Sequence, residues 1–113
     1  MLNFTQETKN AISYKINNVT YHCASAQAQL SENKELAMLH AKEAQTLANQ
    51  VIEWFKNGTD ASEMIPSNVD LYLDFGQFWK ALNNYNYAIT RNSIKELKSK
   101  SIALYSAWKK QTA

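Results

Sequence analysis

Two glycines and a single proline among 113 residues leave few places for the chain to turn. Strand-rich folds need a tight turn every few residues, and those turns draw on Gly, Pro and Asn-Gly. Here Asn57-Gly58 and Pro66 stand close together and nothing comparable interrupts the rest. Few breaks mean long elements, and long elements mean helices. The one cysteine, Cys23, excludes an internal disulfide and a thiolate zinc site. No run reaches the roughly 20 apolar residues that span a bilayer. The N-terminus lacks the basic and apolar regions of a secretory signal, so the expected location is the cytoplasm, with no membrane partner.

What is present suits one globular domain over residues 1–113. Hydrophobic residues make up 45% and aromatics 12%, enough to build a core without disulfides or metal. The net charge of +2 hides an asymmetry. Residues 31–75 are acidic, with Glu32, Glu35, Glu43, Glu53, Asp60, Glu63, Asp70 and Asp74 against Lys34, Lys42 and Lys56. Residues 91–113 carry Arg91, Lys95, Lys98, Lys100, Lys109 and Lys110 against Glu96 alone. These segments either neutralise each other inside the fold or leave a basic end for an acidic partner.

Apolar spacing predicts four helices, over about 5–30, 32–57, 68–90 and 93–110. In the first, Ile12, Ile16, Val19, Cys23, Ala26 and Leu30 alternate steps of four and three, the signature of a bundle seam. Thr5 is its expected N-cap. The second stripe reads Leu36, Leu39, His40, Ala44, Leu47, Val51, Trp54 and Phe55, with Ala37, Ala41, Ala44 and Ala48 forming a thin flank. The phase shift between these stripes is equivalent to about 240°, which places a bend near Ser31, the expected cap of the second helix. Gly58 is suited to ending it. A longer connection at about 58–67 contains Asp60-x-x-Glu63 and Pro66, and Ser67 opens the third helix. That helix carries Leu71, Phe75, Phe78, Leu82, Tyr85 and Ile89, plus a second apolar set of Val69, Tyr72, Leu73 and Trp79. A helix apolar on both faces is either central or presents a binding surface. The fourth helix opens with the capping box Ser93-x-x-Glu96 and carries Ile94, Leu97, Ser101, Leu104, Tyr105 and Trp108. The expected fold is all-α, a compact antiparallel four-helix bundle with one longer connection.

Catalytic and cofactor signatures are missing. Gly58 and Gly76 are too isolated to cradle a phosphate. His40 sits where a leucine is expected, with Glu43 three residues on, but bundle metal sites use Glu-x-x-His twice with further carboxylates. A core histidine satisfied by a hydroxyl or carboxylate is the better reading. Cys23 could act as a nucleophile with His22 or His40 as base, yet its place in an apolar stripe favours a core thiol. The expectation is no enzyme, no metal and no cofactor.

Two surfaces remain. Tyr14 and Tyr21 lie seven apart, opposite the first stripe, and Tyr72 and Trp79 are likewise seven apart on the third helix. Tyr and Trp are enriched at interface hot spots, so these four are candidates for a protein interface. Arg91, Lys95, Lys98 and Lys109 share about 60° of the fourth helix and are candidates for nucleic acid or an acidic partner. The expected function is a non-catalytic interaction module that docks a helical face onto a target protein or onto a second copy in a homodimer. An inhibitor, adaptor or immunity-type factor fits, of the kind small phage and mobile-element proteins often are. The alternative is a nucleic-acid-associated protein that uses its basic fourth helix.

Overall fold

A computed structural model describes residues 4–57 and 69–112. The described residues form four helices: α1 (Gln6–Gln29), α2 (Lys34–Asn57), α3 (Val69–Tyr87) and α4 (Arg91–Gln111). They pack as a bundle in which α1 lies between α2 and α4, α3 runs along α4, and α3 touches α2 only lightly. The acidic α2 and basic α4 therefore occupy opposite corners, with α1 on one side and α3 on the other.

Contacts between neighbours run in opposite directions along each pair. His22 near the end of α1 meets His40 near the start of α2, while Phe4 ahead of α1 meets Trp54 near the end of α2. Thr20 bonds Ser101 and Ser13 bonds Trp108, so rising numbers on α1 match falling numbers on α4. Phe55 packs on Phe75, and Gln45 bonds Asn86, which orients α2 against α3 in the same way.

Three stripes bury along most of their length, with Leu30, Ile89 and Tyr105 only half-buried. Ile12, Ile16, Val19, Cys23 and Ala26 line the core from α1; Leu71, Phe75, Phe78, Leu82 and Tyr85 from α3; Ile94, Leu97, Ser101, Leu104 and Trp108 from α4. The α2 stripe is rotated. The thin flank of Ala37, Ala41, Ala44 and Ala48 is the buried seam, continued by Val51, Ile52 and Phe55. Leu39 is 67% exposed and Leu36 lies at the surface. His40, Leu47 and Trp54 are half-buried at the border with α1. Small side chains let the backbones approach, and close approach buries more of the neighbouring helices than a leucine seam would.

The helix starts also shift. Thr5 caps α1 by accepting from the Thr8 N–H at 3.2 Å. The cap of α2 is Asn33 and not Ser31: its Oδ1 accepts from the Leu36 N–H at 3.0 Å. Thr90 caps α4, accepting from the Ser93 N–H at 3.0 Å, while Ser93 Oγ accepts from the Thr90 N–H at 2.7 Å. Ser93 therefore closes the box from inside the first turn instead of opening it. Nor is α3 central, since it has one extensive neighbour, so its second apolar set faces outward at Tyr72 and Leu73. The expected stop at Gly58, the connection with Asp60, Glu63 and Pro66, and the Ser67 cap lie outside the described residues.

Candidate functional site

The α1–α2 face carries four exposed large apolar side chains, Tyr14, Tyr21, Leu36 and Leu39. On α1, Tyr14 is 66% and Tyr21 57% exposed. Their seven-residue spacing stacks them on the side of α1 opposite Ile12, Ile16 and Val19, where no neighbouring helix can cover them. Tyr21 leans toward α2, its ring edge-on to His22 at 5.0 Å and to His40 at 6.2 Å. Leu36 lies one turn before His40 and Leu39 immediately precedes it, so both extend this surface onto α2. Glu7 stands seven residues ahead of Tyr14, and Glu35 and Glu43 one turn either side of Leu39. These acids outnumber the neighbouring Lys15 and Lys42.

The two histidines sit under the edge of Tyr21. His22 Nδ1 and His40 Nδ1 are 2.9 Å apart, so one ring carries the proton between them and the other accepts it. Burial lowers the His22 pKa, and a positive charge on His40 lowers it further, while Glu43 opposes both. Neither His40 nor His22 is positioned by a hydroxyl or carboxylate; each is positioned by the other. Spacing within one helix carries no sign of this pair, which needs the register of α1 against α2. Among the described residues no group of three His, Cys, Asp or Glu could hold a metal ion.

Cys23 is fully buried, and burial raises its thiol to about 12. Such a thiol carries almost no thiolate at neutral pH and has no path to an electrophile. Native protein treated with a maleimide is expected to label at Cys23 only at the rate of opening. Labelling as fast as in denaturant would contradict that placement. Behind the same core, the Tyr85 hydroxyl donates to the Ala41 carbonyl, and burial drives its pKa upward.

The four aromatic candidates do not form one surface. Tyr72 is 52% exposed on α3, at the opposite corner of the bundle from α1. Trp79 is half-buried, packed on Phe75 at 5.7 Å and covered by the Lys56 ammonium 5.1 Å from its ring. It belongs to the fold more than to a surface.

The basic candidates stay together. Arg91, Lys95 and Lys109 are exposed and Lys98 half-buried, all on the shoulder of α4 that faces α1. Lys98 is near enough to Cys23 of α1 to lower its pKa. Lys109 lines a cleft of about 200 Å³ with Gln6, Lys9 and Ser13 of α1. Lys9 thus joins the group, a membership that only the helix order reveals. Comparison with family models, with curated proteins and with solved structures gave no match.

Proposed function

We propose that this protein is a non-catalytic interaction module that docks its α1–α2 face onto another protein. The observation that carries this reading is the exposure of Tyr14, Tyr21 and Leu39 on adjoining flanks of two packed helices. Large, stiff side chains exposed side by side give up much apolar area to a partner at little entropic cost. The acids around the patch, Glu7, Glu35 and Glu43, define the partner's chemistry: an apolar surface with a basic rim. They also argue against a symmetric pair of this chain. A two-fold interface would set each face against its own copy and bring the acidic rims together.

The activity that follows is occupancy. A compact helical body that covers a partner's surface blocks or bridges what that surface does, as an inhibitor, an adaptor or an immunity factor would. Affinity capture from a nuclease-treated lysate of the native host, run in parallel with the wild type and Tyr14→Ser/Tyr21→Ser, tests it. The wild type is expected to retain a protein that the double variant loses by tenfold or more, with the circular dichroism of the two unchanged. Equal retention by both would remove this face from the account, and concentration-dependent dimerisation of the wild type alone would turn it into a self-interface.

A further inference from the structure

We infer that the α1–α4 flank is a second interaction surface, one that contacts the phosphate backbone of nucleic acid. It lies around α1 from the face proposed for protein docking and rests on separate observations. The first is helix order. With α2 and α4 at opposite corners, no shared seam sets the acids of α2 against Lys95, Lys98 and Lys109; Arg91 alone reaches α2, lining a cleft with Lys34, Ala37 and Met38. Among the described residues, none of these four makes an ion pair.

The second observation is what shares the flank. Lys9 adds a fifth cation from α1, beside Lys109 in the cleft that also holds Gln6 and Ser13. Thr20, which bonds Ser101 of α4, and Gln27 add a hydroxyl and an amide to the same flank of α1. The acids of the two helices lie elsewhere. Glu7 is on the tyrosine side of α1, and Glu96 lines a cleft with Asn84 of α3 and Ala88 just beyond it. Described residues thus give this flank several positive charges, hydrogen-bond donors between them, and no carboxylate. That combination suits phosphate oxygens, which accept from Lys, Arg, Asn, Gln, Ser and Thr alike.

The third is the layout along α4. Arg91, Lys95 and Lys98 form one cluster and Lys109 with Lys9 another, about 16 Å further along at 1.5 Å per residue. Between them stand Ile102, 50% exposed, and the half-buried Tyr105. Charge spread in this way follows a polymer of phosphates better than it closes on one small anion. Cations spaced along the flank of a packed helix meet backbone phosphates and reach no base edges, so binding carries little sequence preference.

The test is fluorescence anisotropy with a labelled random-sequence DNA duplex and with its single strand. If about four or five phosphates are neutralised, affinity for the duplex falls steeply between about 50 and 200 mM salt, with a log–log slope of about −4. Lys9→Gln/Lys98→Gln/Lys109→Gln is expected to weaken binding at least tenfold at low salt and to flatten the slope by about 3. Lys42→Gln/Lys56→Gln/Lys80→Gln removes the same charge from exposed positions on α2 and α3 away from this flank and is expected to change affinity by less than about threefold. Unfolding curves show whether each triple variant is folded. Binding to either DNA form with this contrast between variants supports the inference. No binding at low salt, a salt-insensitive affinity, or equal loss in both triple variants overturns it.

Discussion

Replacing Trp108 by alanine destabilises the protein by about 3–5 kcal/mol, the range for truncating a fully buried aromatic. Trp108 has no exposed surface and touches Phe4, Trp54 and Phe55 with ring centroids 5.4–5.7 Å apart. Its indole N–H donates to Ser13 Oγ at 3.0 Å, so the ring also ties α4 to α1. The aromatic cluster closes the end of the bundle where the start of α1, the end of α2 and the end of α4 converge. Removing the ring empties that junction and leaves Ser13 without its donor. A domain of this size is stable by about 5–15 kcal/mol in all, so the variant is at best marginal. Urea unfolding of Trp108→Ala and Ser13→Ala measures both parts, with Ser13→Ala expected to cost about 1 kcal/mol. A loss under about 1 kcal/mol for Trp108→Ala would contradict the packing described.

The second large effect reverses the usual ranking of leucine over alanine. Ala48→Leu is expected to destabilise by about 1–3 kcal/mol, because a larger side chain in a closed seam forces the neighbouring helices apart. Ala48 is completely buried, as is Ala44 one turn before it. Leu39→Ala, by contrast, removes a mostly exposed side chain and is expected to change stability by less than about 0.5 kcal/mol. Thermal unfolding of the two variants side by side is decisive. If Leu39→Ala cost more than Ala48→Leu, the leucine stripe would be the core and α2 would be turned the other way.

This helix shows where sequence reading stops. Both α2 sets step by three and four, and they share Ala44, Val51 and Phe55, so periodicity alone cannot separate them. Hydrophobicity favours Leu36 and Leu39; shape favours the alanines, because a thin seam lets α1 and α3 come close. On α1, α3 and α4 the stripe that alternates steps of three and four is also the seam, and the further apolar residues, such as Tyr14, Tyr21, Tyr72 and Leu73, stand off it at the surface. Helix starts missed by two or three residues for a related reason. Ser31 and Asn33, like Thr90 and Ser93, are all competent caps, and the tertiary position of each turn chooses among them.

The surfaces were legible in proportion to how little they depend on neighbours. Tyr14 and Tyr21 are opposite a deep stripe, so their exposure follows from one helix alone. Tyr72 followed the same logic, but Trp79 did not, because Lys56 and Phe75 reach it from elsewhere in the chain. The arc of Arg91, Lys95, Lys98 and Lys109 was visible in the spacing. Whether acids faced it was a question of which helices sit beside α4: α3 brings Asp70 and Asp74 to the cleft with Lys110, while α1 brings Lys9 and no acid to the flank that holds Lys95, Lys98 and Lys109. The His22–His40 pair and the outward turn of Leu39 likewise depend on register between helices, which composition and spacing do not encode.

Site-specific photo-cross-linking tests the central claim most directly. A photoreactive side chain is placed at Leu39 and, separately, at Ile102, which is comparably exposed but lies on α4. Both proteins are expressed in the native host and irradiated, and nucleic acid is digested before electrophoresis. The α1–α2 docking face predicts a discrete protein adduct from position 39 that is absent from position 102 and lost when Tyr14 and Tyr21 are serine. No protein adduct from position 39, or the same adduct from both positions, would contradict it.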